Sequence, residues 1–289
     1  MRLFRRVSLF GLITSLSLVG TVSPGAQAAP TEQECPETVV LAARGSDQNE
    51  EYGEYFGPQR YSSYAEESNG FEGPNFTALF HHVEQRHPGT MDNVYVLALD
   101  DQQYPAEMGL PPLADEGEDL TPAETLQRAV AIVQEYPVGD MVHTVTFGFI
   151  DSLRTGMDSA PQVVEEYEAS TGCSPNYVVA GYSQGALVTT SVENYLADTG
   201  RLAGAVTIGN FLHSYPWLMD RAPLPKDKRV DYCVDGDFLC DFSLEAANDA
   251  LSNKAEVHAS YFLKEPTAQD IQVIDEVAAL LNSASAEAA

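Results

Sequence analysis

Ser183, at the centre of Gly181-Tyr182-Ser183-Gln184-Gly185, is the residue of this chain whose type and surroundings most directly suggest chemistry. It lies in YVVAGYSQGA, residues 177–186, where a short β-branched apolar run stops at the pentapeptide and an amphipathic stretch, LVTTSVENYL, begins at once. The pattern reads as strand, sharp turn, helix, with G-x-S-x-G at the turn. A serine presented as a nucleophile at a sheet edge sits in a strained turn where strand and helix pass close together. Glycines two residues to either side remove the Cβ atoms that would collide there. A helix starting just after Ser183 aims free backbone N–H groups, that of Gln184 among them, at the place where an oxyanion would form. A Gly-rich turn with an incidental serine is the weaker reading, because strand and helix flank the motif on the required sides.

A serine hydroxyl is a poor nucleophile unless a base takes its proton and an acid orients that base. In a doubly wound hydrolase the chain order is Ser, then Asp or Glu, then His. Of the six histidines, His81, His82, His87 and His143 precede Ser183, and His213 precedes most acidic candidates. Only His258 has the right order; taken alone it would read as a surface-loop histidine. For the acid, Asp235, Asp237 and Asp241 are near. Asp237 sits between Cys233 and Cys240, where a small disulfide loop would hold a carboxylate at low conformational cost. Asp235 competes with it on sequence logic. A second oxyanion donor is needed from the loop after the first strand. There Ala43-Arg44-Gly45-Ser46 offers the backbone N–H and hydroxyl of Ser46. No metal or organic cofactor is expected. His82 and His87 flank Glu84, but H-x-x-x-x-H spacing puts the two histidines on different sides of a helix.

These residues need a scaffold. Four apolar runs, residues 38–43, 94–99, 177–180 and 203–208, read as buried parallel strands, and a fifth, 230–234, is interrupted by Asp231. Amphipathic stretches at 76–85, 161–169, 187–197 and 268–281 alternate with them, the last preceded by Thr267 three residues before Asp270, a capping pattern. The alternation implies βαβ units, a parallel sheet and helices on both faces. Residues 104–150 depart from it as an insertion of about forty residues. It opens with the loop YPAEMGLPPLADEGEDLT, passes through a capping box at Thr121-Pro122-Ala123-Glu124 into a helix to about Tyr136, and ends in a β-like run at 142–150. It is either a flap over the site or a peripheral ornament. The final residues, 283–289, read as a frayed tail.

At the N-terminus, Arg2, Arg5 and Arg6 precede an uncharged apolar stretch to about Val22, and Ala26-Gln27-Ala28 offers small residues for cleavage. This is the layout of a secretory signal peptide over residues 1–28, leaving one domain at 29–289. The Arg5-Arg6 pair raises the twin-arginine route, but its surroundings fit Sec export better. Cleavage leaves twelve basic residues against forty-three acids, taking the net charge from −28 to −31. Such a chain is repelled by nucleic acid and anionic headgroups, so neither is expected as a partner, and stable membrane insertion is not expected. The four cysteines, Cys35, Cys173, Cys233 and Cys240, suggest two disulfides in an oxidising compartment, with three pairings open.

Together the motifs resemble the cutinase family of secreted serine esterases. The resemblance is carried in order by Cys35 before a strand into ARGS, Cys173 before a strand into GYSQGA, CVDGDFLC as a C-x-x-G-D-x-x-C loop, and His258 followed after two residues by Tyr261. It implies Ser183 as nucleophile, Asp237 rather than Asp235 as orienting acid, His258 as base, and Ser46 and Gln184 as the oxyanion hole. It also implies disulfides Cys35–Cys173 and Cys233–Cys240, and a three-layer α/β-hydrolase sandwich on a five-stranded parallel sheet. The expected protein is a secreted monomer acting on short to medium acyl esters or polyesters. Acetylated xylan, lipid esters and a catalytically idle binding protein on the same scaffold are the alternatives. The insertion and the longer Asp-to-His connection depart from the compact fungal pattern.

Overall fold

Short apolar runs rich in valine and alanine form five strands: β1 (Thr38–Ala43), β2 (Val94–Ala98), β3 (Asn176–Tyr182), β4 (Leu202–Ile208) and β5 (Arg229–Tyr232). They make one parallel sheet of order β2-β1-β3-β4-β5. In the computed structural model the described residues are 35–288, apart from 51–52, 54–56, 109–137, 211, 219, 238–239 and 241–253. The expected signal peptide and the expected helix at 121–136 lie outside them. Asp231, which breaks the apolar pattern of β5, stands opposite Thr207 in the β4–β5 ladder, and the Thr207 hydroxyl donates to its carboxylate at 2.5 Å. The strand therefore forms with its polar residue satisfied.

Alternate residues along each strand face opposite layers. From β1, Val39, Leu41 and Ala43 pack with Val164, Val188, Val192 and Leu196, which lie on helices α2 (Val138–Thr171) and α3 (Gly185–Asp198). Val40 and Ala42 point the other way, into a cluster with Phe76, Leu79 and Phe80 of α1 (Gly73–Arg86) and Val277 and Leu281 of α5 (Ala268–Ala288). A short helix, α4 (Lys254–Ala259), precedes α5. The result is a three-layer α/β sandwich of the hydrolase type. Among the described residues no helix is long and apolar enough to cross a membrane.

Two sequence expectations are overturned. Residues 142–150, expected as β-like, are helical and continuous with the stretch expected at 161–169, as the single helix α2. Local β-propensity spans only about 1 kcal/mol and yields to packing. Further along α2, Ser152, Gly156, Ala160, Val163 and Val164 form a buried stripe at helical spacing. The expected frayed tail is instead the last turns of α5. Ala284 is buried, its carbonyl accepts from Asn176 Nδ2 at 3.1 Å, and Ser285 Oγ lies 3.0 Å from Thr38 Oγ1. The small polar composition of the tail hides an apolar stripe, Val277, Leu281, Ala284, that continues at spacings of four and three. At the other end of α5 the capping pattern is realised reciprocally. The Thr267 N–H donates to Asp270 Oδ2 at 2.9 Å, and the Asp270 N–H donates to Thr267 Oγ1 at 3.2 Å.

The strand order places a switch point between β1 and β3. After β1 the chain crosses to β2 on one side, and after β3 it crosses to β4 on the other. The loops leaving the carboxyl ends of these two neighbours therefore diverge and leave a crevice, where ligands bind in open α/β sheets.

Removing residues 283–289 should lower stability by about 1–3 kcal/mol and the thermal midpoint by several degrees, since it uncovers Leu281 and the start of β1. A melting curve checks this, and an unchanged midpoint would restore the frayed-tail reading.

Candidate active site

Steric exclusion builds the turn after β3. A Cβ on Gly185 would sit 2.1 Å from Ala43 O, and one on Gly181 would sit 2.6 Å from Ala186 Cα. Neither position can carry a side chain. Ser183 between them has φ of 53°, in the left-handed region that a non-glycine residue occupies at a cost of about 1–3 kcal/mol. Its N–H donates to Ile208 O at 2.9 Å, and its carbonyl accepts the Ala186 N–H at 3.1 Å, so the strained residue is held from both sides.

Around Ser183 the structure brings together the other residues singled out from sequence. His258, on α4, has Nε2 2.9 Å from Ser183 Oγ and Nδ1 2.7 Å from Asp237 Oδ2. With Nδ1 donating to the carboxylate, Nε2 is left to accept the serine proton. Asp237 is fully buried, whereas Asp235 is exposed and Asp241 lies outside the described residues. The disulfide Cys233–Cys240 closes the loop around Asp237, and Cys35–Cys173 is the second bridge. Within the loop the Asp237 N–H donates to Val234 O at 3.1 Å and the Cys240 N–H to Asp237 O at 3.3 Å. Gln184 heads α3, and Ser46, in the loop after β1, has its hydroxyl 3.5 Å from Gln184 Oε1. His82 and His87 go elsewhere: His82 Nε2 lies 3.1 Å from Phe262 O and His87 Nε2 2.6 Å from Asp275. Among the described residues no group of three or more His, Cys, Asp or Glu side chains is placed to hold a metal ion.

Several contributors receive no role from the sequence. Tyr261 Oη donates to Asp237 Oδ2 at 2.7 Å, the same oxygen that His258 meets, and accepts the Val234 N–H at 3.0 Å. Tyr182, beside the serine, stacks on the His258 ring with centroids 5.4 Å apart and donates its hydroxyl to His258 O. Asn75, in the first turn of α1, donates to Ala259 O at 3.1 Å and Tyr261 O at 2.9 Å. Its Oδ1 accepts from Gln48 Nε2, and Gln48 Oε1 accepts the Gly45 N–H at 3.0 Å. The segment bearing the histidine is thus tied to the loop bearing Ser46. Only the H-x-x-Y spacing could have pointed to Tyr261; buried loop amides such as Asn75 look like any turn residue.

A sequence model of the Cutinase family matches residues 122–276, just over half of the chain. No curated protein matches it. Among solved structures the chain is similar to Trichoderma reesei cutinase in complex with a C11Y4 phosphonate inhibitor, at 14% identity and a TM-score of 0.43, over 86% of this chain and 78% of that one.

Tyr261→Phe deletes one hydrogen bond to a buried carboxylate, worth about 1.5 kcal/mol. It should lower kcat/KM for an ester substrate about tenfold; an unaltered value would show that Asp237 is held without it. A pH dependence follows from the same tyrosines. Burial pushes the hydroxyls of Tyr261 and Tyr182 above the ordinary tyrosine value of about 10, and the Asp237 charge adds to it. The folded state keeps these protons where the unfolded state releases them. The stability is therefore complete below about pH 10 and falls as pH rises above it. Tyrosinate absorbance at alkaline pH should show these groups silent until unfolding. Reversible titration of all fourteen tyrosines near pH 10 in the folded protein would contradict this.

Proposed function

The chain belongs to the cutinase family, and from that premise we propose that it is a secreted carboxylic ester hydrolase that forms an acyl-enzyme on Ser183. One observation carries the reading: the continuous path from Ser183 Oγ through His258 to Asp237, with contacts of 2.9 and 2.7 Å. In the proposed reaction Ser183 Oγ attacks the ester carbonyl carbon while its proton passes to His258 Nε2. The tetrahedral oxyanion accepts from the Gln184 N–H and from Ser46, through its N–H or hydroxyl. The buried Asp237 carboxylate stabilises the imidazolium, which then gives its proton to the departing alcohol. Water repeats the sequence on the acyl-enzyme and releases the carboxylic acid. The chemistry requires no metal or organic cofactor.

The proposed mature protein is residues 29–289, a monomer exported through its N-terminal segment, as cutinase-family members are typically secreted. Its substrates are short to medium acyl esters or polyesters. The net charge, −28 for the full chain and −31 after the proposed cleavage, argues against nucleic acid and anionic membrane as partners.

Ser183→Ala tests the proposal. On p-nitrophenyl butyrate it should lose about four to six orders of magnitude in kcat/KM. A fluorophosphonate probe should label the wild type at Ser183 and leave the variant unlabelled. Equal rates would end the reading.

A further inference from the structure

The Gln184 carboxamide is a meeting point for three segments of chain. Its Oε1 accepts from Tyr104 Oη at 2.9 Å and lies 3.5 Å from Ser46 Oγ. Its Nε2 donates to Glu107 O at 3.3 Å and to Phe149 O at 3.4 Å. Glu107 and Phe149 are the two feet of the 104–150 insertion, and the Glu107 N–H is itself tied to Ser152 Oγ at 3.2 Å. The first foot is also sewn to the loop after β1. Asp47 N–H donates to Ala106 O, Asn49 Nδ2 donates to Pro105 O at 2.8 Å, and Met108 N–H donates to Asp47 Oδ1 at 3.0 Å.

Tyr104 anchors this junction. It is completely buried, and the Arg44 guanidinium lies 5.3 Å from its ring centroid while donating to Tyr104 O at 2.7 Å. Arg44 is itself buried at the end of β1, donating to Leu99 O and pairing with Asp101. Tyr104 is thus enclosed on all sides, and its hydroxyl donates to the carboxamide of Gln184, whose backbone N–H lies next to Ser183 in the chain. A free glutamine side chain has about 1.5–2 kcal/mol of rotamer entropy to lose, and a buried amide oxygen without a full partner costs about 1–3 kcal/mol. The Tyr104 hydrogen bond, the shortest that the carboxamide makes, offsets the entropy cost and satisfies the buried oxygen. Together with the longer contacts to Ser46, Glu107 and Phe149 it favours a single orientation of Gln184.

We propose that Tyr104 is a positioning residue for the oxyanion hole: by fixing the Gln184 carboxamide it holds Gln184 and Ser46 in register, which makes the feet of the insertion part of the catalytic machinery. The proposal rests on the esterase reading above. An oxyanion hole acts on charge that exists only in the transition state, so loosening it lowers kcat rather than raising KM.

Tyr104→Phe tests this, since it keeps the ring, the burial and the Arg44 contact and deletes only the donor. With p-nitrophenyl butyrate, kcat should fall about tenfold with KM within about twofold, and a trifluoromethyl ketone, whose hemiketal oxygen occupies the hole, should weaken by a similar factor. In a Gln184→Met background, which keeps the backbone N–H, adding Tyr104→Phe should cost nothing further. The ketone arm stands on the single variant if the double one does not fold. Turnover that is abolished by Ser183→Ala establishes the underlying reading independently. Given that, an unchanged kcat and inhibitor affinity, a loss that tracks the thermal midpoint, or full additivity with Gln184→Met would each overturn the role of Tyr104.

Discussion

Between the first turn of α3 and the end of β1 there is no room for even a methyl group, and the geometry of the crevice follows from that contact. Because Gly185 lies against the carbonyls of Ala43 and Arg44, α3 must start directly over β1 and not farther along the sheet. The chain leaving β3 then has a single residue in which to reverse, and Ser183 takes the left-handed conformation to do it. The same approach brings the loop carrying Ser46 within reach of Gln184. The placement of the proposed nucleophile and the approach of the proposed oxyanion donors therefore both start from one backbone contact. The strain of about 1–3 kcal/mol at Ser183 is small beside the burial of the sheet on both faces, which holds that contact closed.

Asp237 and His258, the proposed acid and base, are held differently. Asp237 sits in a short covalent loop, fully out of water, and a bare carboxylate there would be costly. Two donors converge on one of its oxygens, His258 Nδ1 and Tyr261 Oη, and the second also accepts from the backbone at the end of β5. The arrangement satisfies the charge and leaves the imidazole one orientation. Asn75 adds a tie from the opposite side of the sheet's carboxyl edge, so the segment bearing His258 is referred to α1 as well as to β5. On the Ser183 side the fixing is done by backbone packing, and on the Asp237 side by side-chain hydrogen bonds.

This difference explains what could be read from sequence. Packing constraints leave marks: glycines at fixed offsets, apolar runs of period two, amphipathic runs of period 3.6. The elbow around Ser183, four of the five strands and the helices on both faces are legible for that reason, and Asp231 obscures β5 only because its partner Thr207 is remote in sequence. Chain order was enough to single out His258. Hydrogen bonds between distant loops leave no such mark, so Tyr182, Asn75, Tyr104 and Arg44 could not be found that way. Residues 142–150 misled because β-branched content is a weak local preference, while the helix they join is set by the stripe from Ser152 to Val164 that packs toward α3. The tail misled because alanine and serine look disordered until their partners on β1 and β3 are seen.

The bridge between Cys35 and Cys173 joins the amino ends of β1 and β3, the edge of the sheet opposite the crevice, across a separation of 138 residues. It turns everything from β1 to the end of α2, both feet of the insertion included, into a closed covalent ring. A protease that cut anywhere in that ring would leave the two pieces joined, with the central strand pair still tethered at its base. For the extracellular role proposed above, that topology means that a nick between residues 104 and 150 leaves the chain in one covalent piece instead of losing half the molecule.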